Sequence, residues 1–163
     1  MLVQHLNPKE EGGKFVDSLK HSGVDTIIGY YKGCSGCVSG VTSEYYVFWI
    51  KSNESFVTKF NELTNYNVLR SYFPFSYVST VYVELRREKL RDPKLTTSHY
   101  IYESVSIFFD DEEYEYDIVD FEKKANENSL KVNLIDKLRA NLLIINKDWK
   151  GQNYIKRKVS SKF

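Results

Sequence analysis

Leucines recur at fourfold spacing toward the C-terminal end of the chain. Leu130, Leu134, Leu138 and Leu142, joined by Ile135 and Ile145, form one apolar stripe along Ser129 to Asn146, which predicts a long amphipathic helix. Gly151 marks its outer limit. Near the other end, Asn7-Pro8 followed by Glu10 and Glu11 reads as a helix cap, a first-turn proline and an acidic first turn. Phe15, Val16 and Leu19 supply the apolar stripe of that helix, and Gly23 stops it. Two glycines in a helix interior cost about 1 kcal/mol each, so Gly12-Gly13 predicts that the regular part begins only at Lys14.

Between these ends the period shortens to that of strands. Val24 to Tyr31 is β-branched and aromatic and predicts a strand leading into a glycine-spaced loop, Gly33 to Gly40. Glu44 to Lys51 is apolar on both alternating faces, as a central strand is. The turn residues Ser52 to Ser55 join it to a second strand, Phe56 to Phe60. Residues 61–75 read as irregular with one short helix. Ser76 to Leu85 puts Val81, Val83 and Leu85 on one strand face, and a helical turn follows through Arg91 until Asp92-Pro93 breaks it. Ser98 to Phe109 alternates, with Val105, Ile107 and Phe109 on one side. Tyr114, Tyr116 and Ile118 resume the alternation after Asp110 to Glu113, giving a second hairpin.

The pattern defines an α+β fold: an antiparallel sheet of about five to six strands with an N-terminal helix and a long C-terminal amphipathic helix packed on it. Leu134, Leu138 and Leu142 are expected to face strand residues Phe48, Ile50 and Ile107. With 163 residues, 42% of them hydrophobic and 28% charged, the chain is sized and composed for one core. No repeat or composition shift divides it, so residues 1–163 are expected to form a single domain. The stretch from about 150 to 163 reads as a basic tail or an edge strand. Thirteen Tyr and ten Phe reinforce the expectation of a sheet.

Charge changes the picture locally and not globally. A formal net charge of +1 gives no overall field to steer the protein toward nucleic acid or an anionic membrane. Residues 110–122 nevertheless hold eight acids and no base, and residues 147–163 hold six bases and one acid. Arg86, Arg87, Lys89 and Arg91 are interleaved with Glu88 and bracketed by Glu84 and Asp92, which neutralise them. The opening MLVQHLNPKEEGGK has no basic leader followed by an apolar stretch, and no window matches a membrane span. Together with only two cysteines, this predicts a cytoplasmic protein.

Those cysteines fall in GCSGC, Gly33 to Cys37. Cys34 and Cys37 have the spacing of half a zinc site, but no second paired motif completes it. A redox thiolate needs a helix starting at the motif, and strand formers follow instead. The expectation is a structural pair packed in the loop between Tyr31 and Glu44, with no metal and no cofactor. Gly33 to Gly36 also matches a bare GxxG, yet strand-like flanks argue against an RNA-clamping loop. The nucleophile motif GxSxG is absent, so no catalytic residue is assigned.

The acidic tract Asp110, Asp111, Glu112, Glu113, Tyr114, Glu115, Tyr116 and Asp117 is the most informative feature. It places solvated carboxylates beside aromatic rings at an expected hairpin tip. Acids can steer a cationic partner and a tyrosine can anchor it. The expected function is therefore a small protein-interaction domain of the inhibitor or bacterial immunity type, whose partner is a basic protein such as a toxin. The alternative is a zinc-binding or thiol enzyme centred on Cys34 and Cys37. Nucleic acid and membrane are not expected partners.

Overall fold

A computed structural model of the chain describes residues 6–37, 43–94, 97–150 and 155–156. It begins with helix α1 (Pro8–His21), strand β1 (Thr26–Ser35) and the hairpin β2 (Glu44–Lys51) with β3 (Glu54–Asn61). Two short strands, β4 (Thr64–Asn65) and β5 (Leu69–Arg70), lead to helix α2 (Phe75–Arg87). The hairpin β6 (Tyr100–Phe109) with β7 (Glu112–Val119) follows, then α3 (Asp120–Ala125), α4 (Leu130–Lys150) and β8 (Ile155–Lys156). The strands form one sheet in the order β7-β6-β1-β2-β3-β4-β8, with β5 also on β3. All pairings are antiparallel. The α+β reading holds, with five long strands and three two-residue ones where five to six were expected.

Alternation along the strands builds two cores. On one face Ile28, Phe48, Val105, Ile107 and Ile118 pack beneath α2 and α4, which contribute Val78, Leu85, Leu134, Leu138 and Leu142. On the other, Ile27, Tyr45, Val47 and Trp49 meet Leu19, Phe15 and Val16 of α1. The leucine stripe thus faces Phe48, Ile50 and Ile107 as its spacing predicted.

Helix α1 starts at Pro8 and not at Lys14. Asn7 caps it through Oδ1, which accepts from the amides of Lys9 and Glu10 at 3.1 and 3.3 Å. Its glycines lie inside the helix because Gly12 presses on Tyr45: a Cβ there would collide with that ring. Close packing repays the helix penalty that the sequence alone advertises. Gly23, at φ +82°, closes the helix as expected.

The strand expected over Ser76 to Leu85 is instead helix α2. Its buried stripe is Phe75, Val78, Tyr82 and Leu85, spaced at the helical period. Val83, counted as part of a strand face, is 56% exposed. No helix forms between residues 61 and 75, where β4 and β5 extend the sheet. Beyond α2, Glu88 links the two helices on this face. Its carboxylate accepts from the amides of Leu130 and Lys131 at 2.9 and 3.1 Å, where the exposed positive end of α4 favours an acid.

Both hairpin turns are tighter than their polar residues suggested. Ser52-Asn53 and Asp110-Asp111 all have positive φ, between 52° and 63°, the geometry of a two-residue turn matched to strand twist. Glu112 and Glu113, expected in the turn, therefore lie on β7 opposite Phe109 and Phe108. Cys34 lies within β1, not in the loop after it, and is joined to Cys37 by a disulfide. The expected basic tail lies mostly outside the described residues, of which Ile155–Lys156 forms β8 on β4.

Candidate functional site

The acidic tract divides between two environments once β7 is laid at the end of the sheet. Asp110 and Asp111 form the exposed turn. Glu113, Glu115 and Asp117 point to the α1 side, and Glu112, Tyr114 and Tyr116 to the opposite side. Three of the six acids meet cations of the same chain. Arg86 pairs with Glu112, Lys20 with Glu113 at 3.4 Å, and Lys9 with Glu115 at 3.2 Å. Glu115 also accepts from Ser104 Oγ at 3.0 Å, while Asp117 is exposed farther along the strand.

The tyrosines do not stand outward beside these acids. Tyr116 is buried and its hydroxyl donates to the Lys131 carbonyl at 2.8 Å. Burial, followed by the charge of Tyr114, pushes its phenol well up. Tyr114 is half-buried against the same core, with the Lys131 ammonium 5.6 Å from each ring centre. Of the two tyrosines offered as an anchor, Tyr114 or Tyr116, only Tyr114 is part-exposed.

A second charged group, which the run of acids overshadowed, is built around Glu103. The alternation that buries Val105 and Ile107 also turns Glu103 inward, and the residue is fully buried. Three donors meet its carboxylate. Tyr30 Oη and Lys123 Nζ each make a close contact, and Arg139 Nε stands 2.9 Å away. Burial raises the Tyr30 phenol pKa strongly and the Glu103 charge adds to it, so the proton stays on the tyrosine. For Arg139, burial works against the charged form but Glu103 outweighs it.

Next to this group lies a similar one at the start of β2. Glu44 accepts from Tyr46 Oη at 2.6 Å and pairs with Lys59 at 2.8 Å. Burial opposes its ionisation, but the hydrogen bonds from Lys59 and Tyr46 prevail and hold the carboxyl below its ordinary range. The rings of Tyr30 and Tyr46 stack with centroids 5.8 Å apart. Between the two groups and α4 opens a cleft of about 360 Å³ lined by Tyr30, Lys32, Glu44, Tyr46, Arg139 and Leu143, among others. The signal for Glu103 was present in the sequence: counting back by twos from Phe109 through Ile107 and Val105 reaches an acid on a core-facing position.

Among the described residues no group of three or more His, Cys, Asp and Glu is placed to hold a metal ion. The sulfurs of Cys34 and Cys37 bond to each other, so neither is a thiolate ligand in this structure. No described helix is long and apolar enough to cross a membrane. Comparison with protein-family models, with curated proteins and with solved structures finds no match.

Proposed function

We propose that the chain is a protein-binding domain that receives a basic partner along β7. The observation that supports this reading is the position of the acids: the strand that carries them ends the sheet order, so no described strand pairs with its outer edge. An open edge offers unpaired backbone N–H and C=O groups to an incoming extended segment. Acids beside the edge select a segment rich in Lys or Arg and speed its approach. In the internal ion pairs at Glu112, Glu113 and Glu115 each carboxylate side chain is at least half exposed. Such pairs are worth less than about 1 kcal/mol each, so a partner's cations can exchange with Lys9, Lys20 and Arg86 at little cost. The narrower form of the reading is a cytoplasmic inhibitor of the immunity type that covers a basic protein.

The test changes Asp110 and Asp111 to Asn and Glu112 and Glu113 to Gln together. Asn tolerates positive φ as Asp does, so the turn is kept. With a partner captured by the intact protein, the neutralised variant should associate more slowly, and added salt should slow the parent in the same way. An unchanged association rate and salt dependence would show that the acids serve only the solvated surface.

A further inference from the structure

The cleft between the sheet and α4 is lined on the sheet side by residues of β1 and β2, away from the outer edge of β7, and its chemistry is different. Four bases converge on two carboxylates in and beside it. Lys123 and Arg139 meet Glu103, and Lys59 meets Glu44. Lys32 stands directly across from Glu44 on β2 and from Glu103 on β6. Both carboxylates are nevertheless engaged at closer range by other donors: Lys32 acts on Glu44 through its charge, but among the described residues no ion pair within 4.0 Å closes on it. Arg139 lines the same cleft and keeps 39% of its side chain exposed. Even with Asp136, whose charge also acts on Arg139, counted beside the two glutamates, the bases Lys32, Lys59, Lys123 and Arg139 leave a net positive charge at a half-buried position, where an ammonium group is less well solvated than in water.

Apart from Asn146, the rest of the wall is largely apolar. The stacked rings of Tyr30 and Tyr46, 1% and 4% exposed, form its floor, and Leu142 and Leu143 supply a side. Leu143 is 72% exposed, although its position one turn from Arg139 would suit a polar residue equally well on a helix facing only water. The volume of about 360 Å³ lies at the small end of the range for small-molecule sites. We infer that the cleft binds a small organic anion, with its carboxylate or phosphate group between Lys32 and Arg139 and its apolar body against Leu143, over the edges of the Tyr30 and Tyr46 rings. A cation would meet the surplus of bases, and an inorganic ion would leave the apolar wall uncovered. The inference is independent of the β7 reading, since neither residues nor ligand are shared.

The experiment is a titration of the full, isotope-labelled chain, followed through its backbone amide signals. The probes are phenylacetate, phenyl phosphate, the neutral phenylacetamide and inorganic phosphate. At least one of the two aromatic anions should shift the amides of Lys32, Tyr46 and Asn146 saturably, with Kd of about 1 mM or tighter; which one is preferred identifies the acid group. Phenylacetamide should bind roughly tenfold more weakly, as should either aromatic anion to Lys32→Gln, the effect of losing one charge-assisted hydrogen bond. Arg70→Gln, remote from the cleft on β5, should bind like the parent. The inference is overturned if neither aromatic anion saturates, if phenylacetamide or inorganic phosphate binds as tightly as they do, or if Lys32→Gln and Arg70→Gln weaken binding equally.

Discussion

Glu103 and Glu113 sit on adjacent strands of one sheet, and each faces a lysine, yet they do opposite things. Glu103 is fully buried with Tyr30, Lys123 and Arg139 around it. Glu113 has 61% of its side chain exposed and, among the described residues, one ion-pair partner, Lys20, at 3.4 Å. Water can replace the lysine at Glu113 but has no access to Glu103. Removing one member of the inner group strands the others without a counter-charge, whereas removing one member of the outer pair returns its partner to solvent. The difference teaches that the sign and number of charges along a strand say little about their weight; the face they occupy decides it.

The sharpest way to break this comparison is Glu103→Gln. It should cost about 3 to 5 kcal/mol in denaturant unfolding, because Lys123 and Arg139 lose their anion while remaining packed beside Tyr30. Leu138→Ala, in the same core layer, provides the scale, with an expected loss of about 2 to 5 kcal/mol for a fully buried leucine. If Glu103→Gln unfolds at the parent's midpoint while Leu138→Ala does not, the inner charges are solvated after all and the contrast with Glu113 disappears.

Glu44 stands between these extremes, half-buried and held below its ordinary value of 4.5 by Lys59 and Tyr46 against the opposing effect of burial. A carboxyl whose folded pKa is lowered contributes stability that is present above its unfolded value and lost as pH falls through the folded one. The parent should therefore lose part of its advantage over Glu44→Gln as the pH drops below 4.5. Thermal midpoints of both proteins across that range provide the check. A gap that stays constant into acid would mean that the Lys59 pair does not favour the ionised form.

How much of this was legible in the sequence follows from the same contrast. The C-terminal helix and both hairpins could be read because a single period governs each, as with Leu134, Leu138 and Leu142. Helix α2 was not, since Val81 and Val83 mimic a strand while the deciding stripe, Phe75, Val78, Tyr82 and Leu85, includes aromatic residues common to both states. Gly12 looked like a break because its reason, the Tyr45 ring, lies on a distant strand. At the site, adjacency made Asp110 to Asp117 conspicuous, but the alternation of β7 sends Tyr116 inward and the acids of the α1 side outward. Glu103 and Arg139 are 36 positions apart in sequence, so only the packing of α4 on the sheet brings them together.

The smallest effect is expected at the outer pair, and there the choice of measurement matters. Lys20→Gln alone removes more than an ion pair, since the Lys20 ammonium also lies 4.7 Å from the centre of the Phe108 ring and its stem covers apolar surface. Glu113→Gln alone leaves Lys20 in place over that ring. The pairing itself is isolated only by a double-mutant cycle of the two substitutions, in which the ring contact cancels. The coupling should be below about 1 kcal/mol and should fade as salt is raised, because both groups reach solvent. A coupling as large as the loss expected from Glu103→Gln, insensitive to salt, would make the pair part of the fold and withdraw Glu113 from the acids available to a partner.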